Sequence, residues 1–276
     1  MSTGGILVDG VLTAPQDLIS ALQQAADRHE EVDLEFHFDD ELFDESRQMH
    51  KQLIAFKATG MWTIESLNFD NGCDDPKTRI ECLELYAKLL SPGPYGRISD
   101  CWYCQSRCAI TLEDATKIGN AIRSCSHGSI ERFQIQNSFQ IQGAFARILN
   151  AALENGVQEF VATFESCKIG SIEISNLADN TTLKSLCLFY NHSHTNNGNN
   201  KVSSSPPVPR EFATAIAEQC SDIIKKNRGL EELFLDRTIL HTEGRKQLRD
   251  ALQHQNGTLL RLDTLEGYLG NESILE

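Results

Sequence analysis

The segment LKSLCLFYN, residues 183–191, decides the fold of this chain. Leu183, Leu186, Leu188 and Asn191 stand at the spacing L-x-x-L-x-L-x-x-N. Because successive strand residues point to opposite sides, this spacing predicts a short strand with Leu186 and Leu188 on its buried side. A spacing of this kind that recurs at a regular interval is the signature of a repeat architecture.

The same frame recurs along the chain. A second clear copy is LEELFLDRT, residues 230–238, with Leu240 at its tenth place. Weaker copies carry these apolar residues, in chain order: Leu34, Phe36; Ile64, Leu67, Phe69; Ile98, Cys101, Tyr103; Ile130, Phe133, Ile135; Val157, Phe160, Ala162; Leu259, Leu262. If the copies begin at residues 31, 64, 98, 130, 157, 183, 230 and 259, every step but one lies between 26 and 34 residues. The sequence therefore predicts a single repeat domain over residues 1–276, with about seven to eight irregular repeats.

The one long step contains a polar tract, HSHTNNGNNKVSSSPPVPR, residues 192–210. Its Asn, Ser and Pro composition offers almost no apolar side chain that could pack. We predict that this tract is a flexible loop inserted into one repeat, not a domain boundary.

The segments between the strands show the spacing of amphipathic helices. Residues 111–125 place Ala115, Ile118 and Ile122 on one face, and residues 212–224 do the same through Phe212 and Ile216. Each unit is therefore predicted to be a strand followed by a helix.

The unit from Leu230 to Leu262 resembles the leucine-rich repeat of the ribonuclease-inhibitor type, including Gly244 in the turn into the helix and Asn256 before the next strand. The resemblance extends over residues 15–265. It implies an α/β leucine-rich-repeat solenoid, or horseshoe, with a parallel β-sheet on the concave face and helices on the convex face. Stacking of the units supports this, because one strand and one helix cannot bury their own apolar surface.

The cysteines of CWYCQSRC, residues 101–108, have a spacing that also suits zinc or an iron–sulfur cluster. In the repeat frame Cys101 faces the core, whereas Cys104, three residues on, faces the opposite side. We therefore expect these cysteines to be core residues and the protein to hold no metal. Residues 70–81 lack the glycine that a calcium loop needs at its sixth place.

Composition and charge restrict the class of function. The net charge is −14, and the densest basic stretch is only residues 225–228, which argues against nucleic acid and favours a neutral or basic protein partner. No apolar run approaches the roughly 18–20 residues of a membrane span, and the first 25 residues do not resemble a secretory signal. We expect a cytoplasmic protein with free thiols and no cofactor. The sequence has no phosphate loop, H-E-x-x-H or nucleophile elbow, so we expect no catalytic residues.

The outward positions of the predicted strands define a surface. The central outward place reads Glu35, Asn68, Trp102, Gln134, Val161, Cys187, Phe234 and Asp263. The next outward place reads His37, Asp70, Cys104, Gln136, Thr163, Phe189, Asp236 and Leu265. Exposed aromatic side chains are typical interaction anchors. We predict a partner-binding surface made of Trp102, Gln134, Val161, Phe164, Phe189, Tyr190, Phe234 and Asp236. The alternative is that some of these side chains pack against neighbours or beneath the 192–210 loop.

The leading functional hypothesis is a non-enzymatic intracellular scaffold that presents the sheet surface to another protein. The alternative is a regulator, such as a small-GTPase activator or a ubiquitin-ligase substrate adaptor, and a GTP-turnover assay separates the two. The sequence leaves open the partner, the oligomeric state and whether the chain is part of a longer protein.

Overall fold

The fold is that of a computed structural model, which describes residues 5–59, 63–90, 98–106, 108–139, 143–167, 172–190, 208–236, 240–253 and 258–265. In this part of the chain, ten strands form one open sheet in the order β10-β9-β8-β7-β6-β5-β4-β3-β1-β2. The strands are β1 Gly5–Val8, β2 Val11–Leu12, β3 Glu31–Phe38, β4 Thr63–Asn71, β5 Asp100–Cys104, β6 Arg132–Phe139, β7 Glu159–Cys167, β8 Ser185–Tyr190, β9 Glu232–Asp236 and β10 Arg261–Leu265.

Helices alternate with the parallel strands. They are α1 Leu18–Arg28, α2 Asp40–Ala58, α3 Pro76–Leu90, α4 Leu112–Ser124, α5 Ala144–Asn155, α6 Arg210–Lys226 and α7 Thr242–Leu252, with a 3-10 helix at Ser175–Asp179. Thr111 begins α4 with a capping box, in which its hydroxyl accepts from the Asp114 amide and the Asp114 carboxylate accepts from the Thr111 amide. None of the helices within the described ranges is both long and apolar enough to cross a bilayer.

Strands β3 to β10 are parallel and pair in chain order, in the register that the repeat frame predicts. The fourth position of each copy forms one continuous row across the sheet: Leu34, Leu67, Cys101, Phe133, Phe160, Leu186, Leu233 and Leu262. The α/β class and the largely parallel sheet are thus confirmed, and they are compatible with a leucine-rich-repeat solenoid.

The inward side of the sheet and the helices share one core, which runs from Ile6 near the N-terminus to Ala251 in α7. Leu186 and Leu188 of β8 are fully buried in it, as are Ile118 and Ile122 of α4. At about 25 cal/mol per Å² of apolar surface, a fully buried leucine side chain contributes roughly 1.5–3 kcal/mol to folding. The core is therefore continuous along the repeats, as stacking of units requires.

An N-terminal hairpin, which the repeat search did not predict, extends the sheet beyond β3. Strand β1 pairs antiparallel with both β2 and β3. The turn between β1 and β2 is Asp9–Gly10, both with positive φ (50° and 74°), the backbone that a two-residue hairpin turn needs. Ile6 and Val8 lie in the core, so the hairpin covers the first parallel strand.

Buried asparagines link neighbouring repeats. The Asn155 amide donates to the carbonyl oxygens of Ile122 and Cys125 at the end of α4. Asn227, which is 3% exposed, donates to the carbonyl oxygens of Leu177 and Asn180 in the preceding unit. These side chains satisfy backbone groups that a buried turn would otherwise leave unpaired.

Two connections between strands differ from the predicted pattern in part. Residues 192–207 of the predicted loop lie outside the described residues, but Val208 is 3% exposed and Arg210 begins α6, so the last residues of the predicted loop belong to the packed domain. Between β7 and β8 the described helix is the 3-10 helix and not an α-helix. The strand-plus-helix unit is therefore irregular at this repeat.

Candidate functional site

The side of the sheet opposite the helices, here called the open face, carries three rows of side chains. The register aligns the first row as Asp33, Ser66, Asp100, Arg132, Glu159, Ser185, Glu232 and Arg261. The second is the predicted central row from Glu35 to Asp263, and the third begins with His37, Asp70, Cys104, Gln136, Thr163 and Phe189. The sequence therefore predicted the order of both outward rows that it named.

Three of the predicted binding residues lie half-buried on the open face. Trp102 and Gln134 are neighbours in the central row, on β5 and β6. Phe234 lies in the same row on β9, and the guanidinium carbon of Arg261 is 4.8 Å from its ring centroid. Such a cation–π contact is attractive, so Arg261 holds this ring in place.

A small apolar cluster lies beside Phe234 on the open face. Val161, Cys187 and Phe189 form it and are 4%, 8% and 7% exposed. These side chains bury one another and leave little surface for a partner. This agrees with the alternative interpretation that some of the predicted surface residues pack against neighbours. Phe234 packs against this cluster and is only partly buried.

Phe164 and Tyr190 do not lie on the open face, so their expected exposure is wrong. Phe164 is fully buried, and its ring contacts those of Phe145 in α5 and Phe212 in α6 at 5.3 and 6.3 Å between centroids. Tyr190 is 9% exposed and also packs near Phe212. The reason is strand alternation: each residue lies two places after an inward residue, namely Ala162 and Leu188.

Asp236 is also less accessible than expected. Its side chain is 1% exposed, and its carboxylate accepts a hydrogen bond from the Tyr190 amide at 3.2 Å. A buried carboxylate needs such donors, since an unpaired one is costly. Asp236 therefore has a structural role between β8 and β9.

The open face contains a groove of about 250 Å³ that crosses strands β3 to β7. Its lining residues are Glu35, His37, Asn68, Trp102, Gln134, Ile135, Gln136, Val161 and Thr163. Trp102 and Val161 are the apolar open-face members, and the others offer amide, hydroxyl, imidazole and carboxylate groups. The groove can thus contact an apolar surface and several hydrogen-bonding groups of a ligand at once.

At one end of the groove, His37 lies between two carboxylates. Its Nε2 is 2.5 Å from Glu35 Oε1, and its Nδ1 is 3.7 Å from Asp70 Oδ2. Asp70 and then Glu35 raise the pKa of His37, although partial burial opposes them. This end of the groove therefore combines two carboxylates with an imidazole whose pKa they raise.

The charge of the open face is predominantly acidic. Arg132 bridges two of its carboxylates, since it is 3.8 Å from Asp100 and 3.1 Å from Glu159. Apart from the buried Asp236, the acidic side chains of the three rows, Asp33, Glu35, Asp70, Asp100, Glu159, Glu232 and Asp263, outnumber the basic ones, Arg132 and Arg261. A face of this sign attracts basic groups and repels acidic ones.

The cysteine-rich segment lies within the fold. Cys101 is fully buried in the core, and Cys104 is 4% exposed on the opposite side of β5. The Cys108 sulfur accepts hydrogen bonds from Arg79 and from the Gln105 amide, at 3.4 and 3.3 Å. No grouping of three or more potential metal ligands occurs among the described residues.

Other ionisable groups that could suggest chemistry have structural partners. Asp39 caps α2 by accepting from the Leu42 amide, and Asp75 accepts from the Thr78 amide and hydroxyl at the start of α3. The buried Lys57 ammonium donates to the Lys88 and Leu89 carbonyl oxygens at the end of α3, and burial lowers its pKa to about 8. These groups stabilise helix ends.

The site prediction missed the polar half of the groove. Glu35 and His37 were placed correctly in the outward rows, but only apolar residues, Gln134 and Asp236 were selected as candidates. The available signal was the register, which places Glu35 in the same row as Trp102 with only Asn68 between them.

Comparison with known proteins gives no family assignment. No protein-family model matches the sequence, and no curated protein matches it. The resemblance to leucine-rich repeats thus rests on the repeat spacing and is compatible with the parallel sheet.

Proposed function

We propose that this chain is an intracellular leucine-rich-repeat protein of the ribonuclease-inhibitor-like type. It acts as a non-enzymatic scaffold whose open face binds a basic protein partner. The observation that carries this proposal is the groove around Trp102, which lies on an acidic sheet face that the helices of the described residues leave uncovered.

The surface has the composition of a protein-binding site. Trp102 and Phe234 are half-buried, so each presents part of an aromatic ring while the rest is held by neighbours. Aromatic side chains held in this way are enriched among residues that dominate binding energy. The surrounding carboxylates add orientation and faster encounter with a basic partner.

The proposal is tested by partner capture with matched variants. The test variant carries Trp102→Ala and Phe234→Ala, and the control carries Leu112→Ala at an exposed apolar position on α4. We expect both variants to fold, because neither test residue is fully buried, and circular dichroism with urea denaturation checks this. Proteins captured by the wild type and the control should be lost from the test variant.

Two outcomes would contradict the proposal. One is an unchanged set of captured proteins with the folded test variant. The other is equal loss with the Leu112 control, which would place binding on the helical surface.

A further inference from the structure

The size of the groove restricts what it can hold. Its volume is about 250 Å³, which is below the roughly 300–1,000 Å³ of pockets that enclose drug-sized ligands. A groove of this size fits one long side chain better than a nucleotide or another large cofactor. The groove crosses several parallel strands on the open face. A partner segment that lies along this face can therefore insert a side chain into the groove.

The aromatic part of the groove suits a flat cation. Trp102 provides the ring type that attracts cations most strongly. The same face already shows this arrangement at Phe234, where the Arg261 guanidinium lies 4.8 Å from the ring centroid. A guanidinium group is planar and weakly hydrated, so it stacks on an aromatic face more readily than an ammonium group does.

The polar part of the groove favours hydrogen-bond donors. Glu35 lines it, and the side chain of Glu35 is 38% exposed, which leaves carboxylate surface for a ligand. Asp70 is not a lining residue, but its Oδ2 is 3.7 Å from His37 Nδ1, and its Oδ1 is buried without a hydrogen-bond partner among the described residues. One carboxylate oxygen beside this end of the groove is thus left without a donor from the described residues, and the two carboxylates share a single imidazole.

We propose that the groove binds the guanidinium group of an arginine from the protein partner, with the group stacked on Trp102 and paired with Glu35. This inference rests on the proposed function, because it specifies the chemistry of the partner at the same surface. Arginine is favoured over lysine since its five donors form a planar fork that can reach a carboxylate and neighbouring amide oxygens together.

His37 makes this binding dependent on pH. The charged or titratable groups that face it are Glu35 on its own strand and Asp70 on β4, and the described β1 segment, residues 5–8, brings none. Protonated His37 neutralises part of the charge that an arginine would use, so binding of the cation and of the proton oppose each other. The affinity for arginine is therefore expected to rise as the pH increases through the elevated pKa of His37.

The experiment uses the full chain and a short acetylated, amidated glycine peptide with one central arginine. Binding is followed by the indole N–H signal of Trp102 in an NMR titration. Matched peptides carry citrulline, which has the same shape without the charge, or lysine. We expect the arginine peptide to bind on the order of tenfold more tightly than the citrulline peptide.

Two carboxylate variants make the test specific. Glu35→Gln should weaken arginine binding by about tenfold, whereas Glu113→Gln, at an exposed position on α4, should leave it unchanged. With wild-type protein, binding should be tighter at about pH 8 than at about pH 6, and His37→Gln should flatten this dependence. The two Glu→Gln substitutions are near-isosteric, and denaturation checks that all three variants fold.

The inference is overturned if the citrulline or lysine peptide binds as tightly as the arginine peptide, or if Glu113→Gln weakens binding as much as Glu35→Gln. If partner capture is still lost with the Trp102 and Phe234 substitutions in that case, the scaffold function stands and only the arginine assignment fails. If capture is unaffected as well, the proposed function fails too.

Discussion

Replacement of Asn227 by Ala tests how successive repeats are joined. The Asn227 side chain donates to the Leu177 and Asn180 carbonyl oxygens and accepts from the Gly229 and Leu230 amides. Alanine removes all four interactions from a position that is 3% exposed. At about 0.5–1.5 kcal/mol for each net hydrogen bond, the free energy of unfolding should fall by about 2–6 kcal/mol.

Urea denaturation followed by circular dichroism measures this loss. The control is Asn120→Ala at an exposed position on α4, which should change the free energy of unfolding by less than about 0.5 kcal/mol. A loss below about 1 kcal/mol for Asn227→Ala would refute the reasoning, because four backbone groups would then find other partners at little cost.

Three further outcomes are expected. Leu186→Ala should lower the free energy of unfolding by about 2–5 kcal/mol, whereas Leu12→Ala, at a position 74% exposed, should have little effect in the same denaturation assay. Because the pKa of His37 is raised in the folded state, its stabilising contribution is complete below about pH 6.5 and is lost as the pH rises through the folded pKa. The stability difference between wild type and His37→Gln should then be larger at about pH 5.5 than at about pH 8.5, and equal differences would contradict it. Cys108 should alkylate faster in the native protein than Cys220, since Cys220 is buried and burial raises its pKa to about 12. Peptide mapping by mass spectrometry measures both rates, and faster alkylation of Cys220 would contradict this prediction.

The repeat frame predicts the sheet well because register follows from the inward leucines. A one-residue slip would move a residue such as Leu67 from the core to the open face, so the apolar spacing fixes the alignment of neighbouring strands. The weak copies fit the same register even where Cys101 or Ala162 replaces leucine, and both of these side chains are fully buried. Parallel order and the alternation with helices follow from the same pattern.

The N-terminal hairpin was missed for an identifiable reason. A search for a repeat of about 26–34 residues does not detect a terminal cap that is antiparallel and short. The signal was present as Asp9–Gly10 between two apolar stretches, the turn type that favours a two-residue hairpin.

The candidate site could be predicted only in part. Trp102 and Phe234 follow from strand alternation, and the same rule, applied to Phe164 and Tyr190, would have placed both in the core. The burial of Asp236 and of the Val161 cluster depends on contacts between side chains of neighbouring strands, which the spacing of one strand does not determine. The groove depends on where five strands place large and small side chains next to each other, which the spacing within single strands does not determine.

Side-chain footprinting of the free and partner-bound protein tests the proposed binding face most directly. Hydroxyl radicals oxidise accessible aromatic and aliphatic side chains, and mass spectrometry gives the rate at each residue. Binding at the open face is expected to slow oxidation of Trp102 and Phe234 severalfold and to leave Leu112 on α4 unchanged. Protection of Leu112 together with unchanged rates at Trp102 and Phe234 would contradict it.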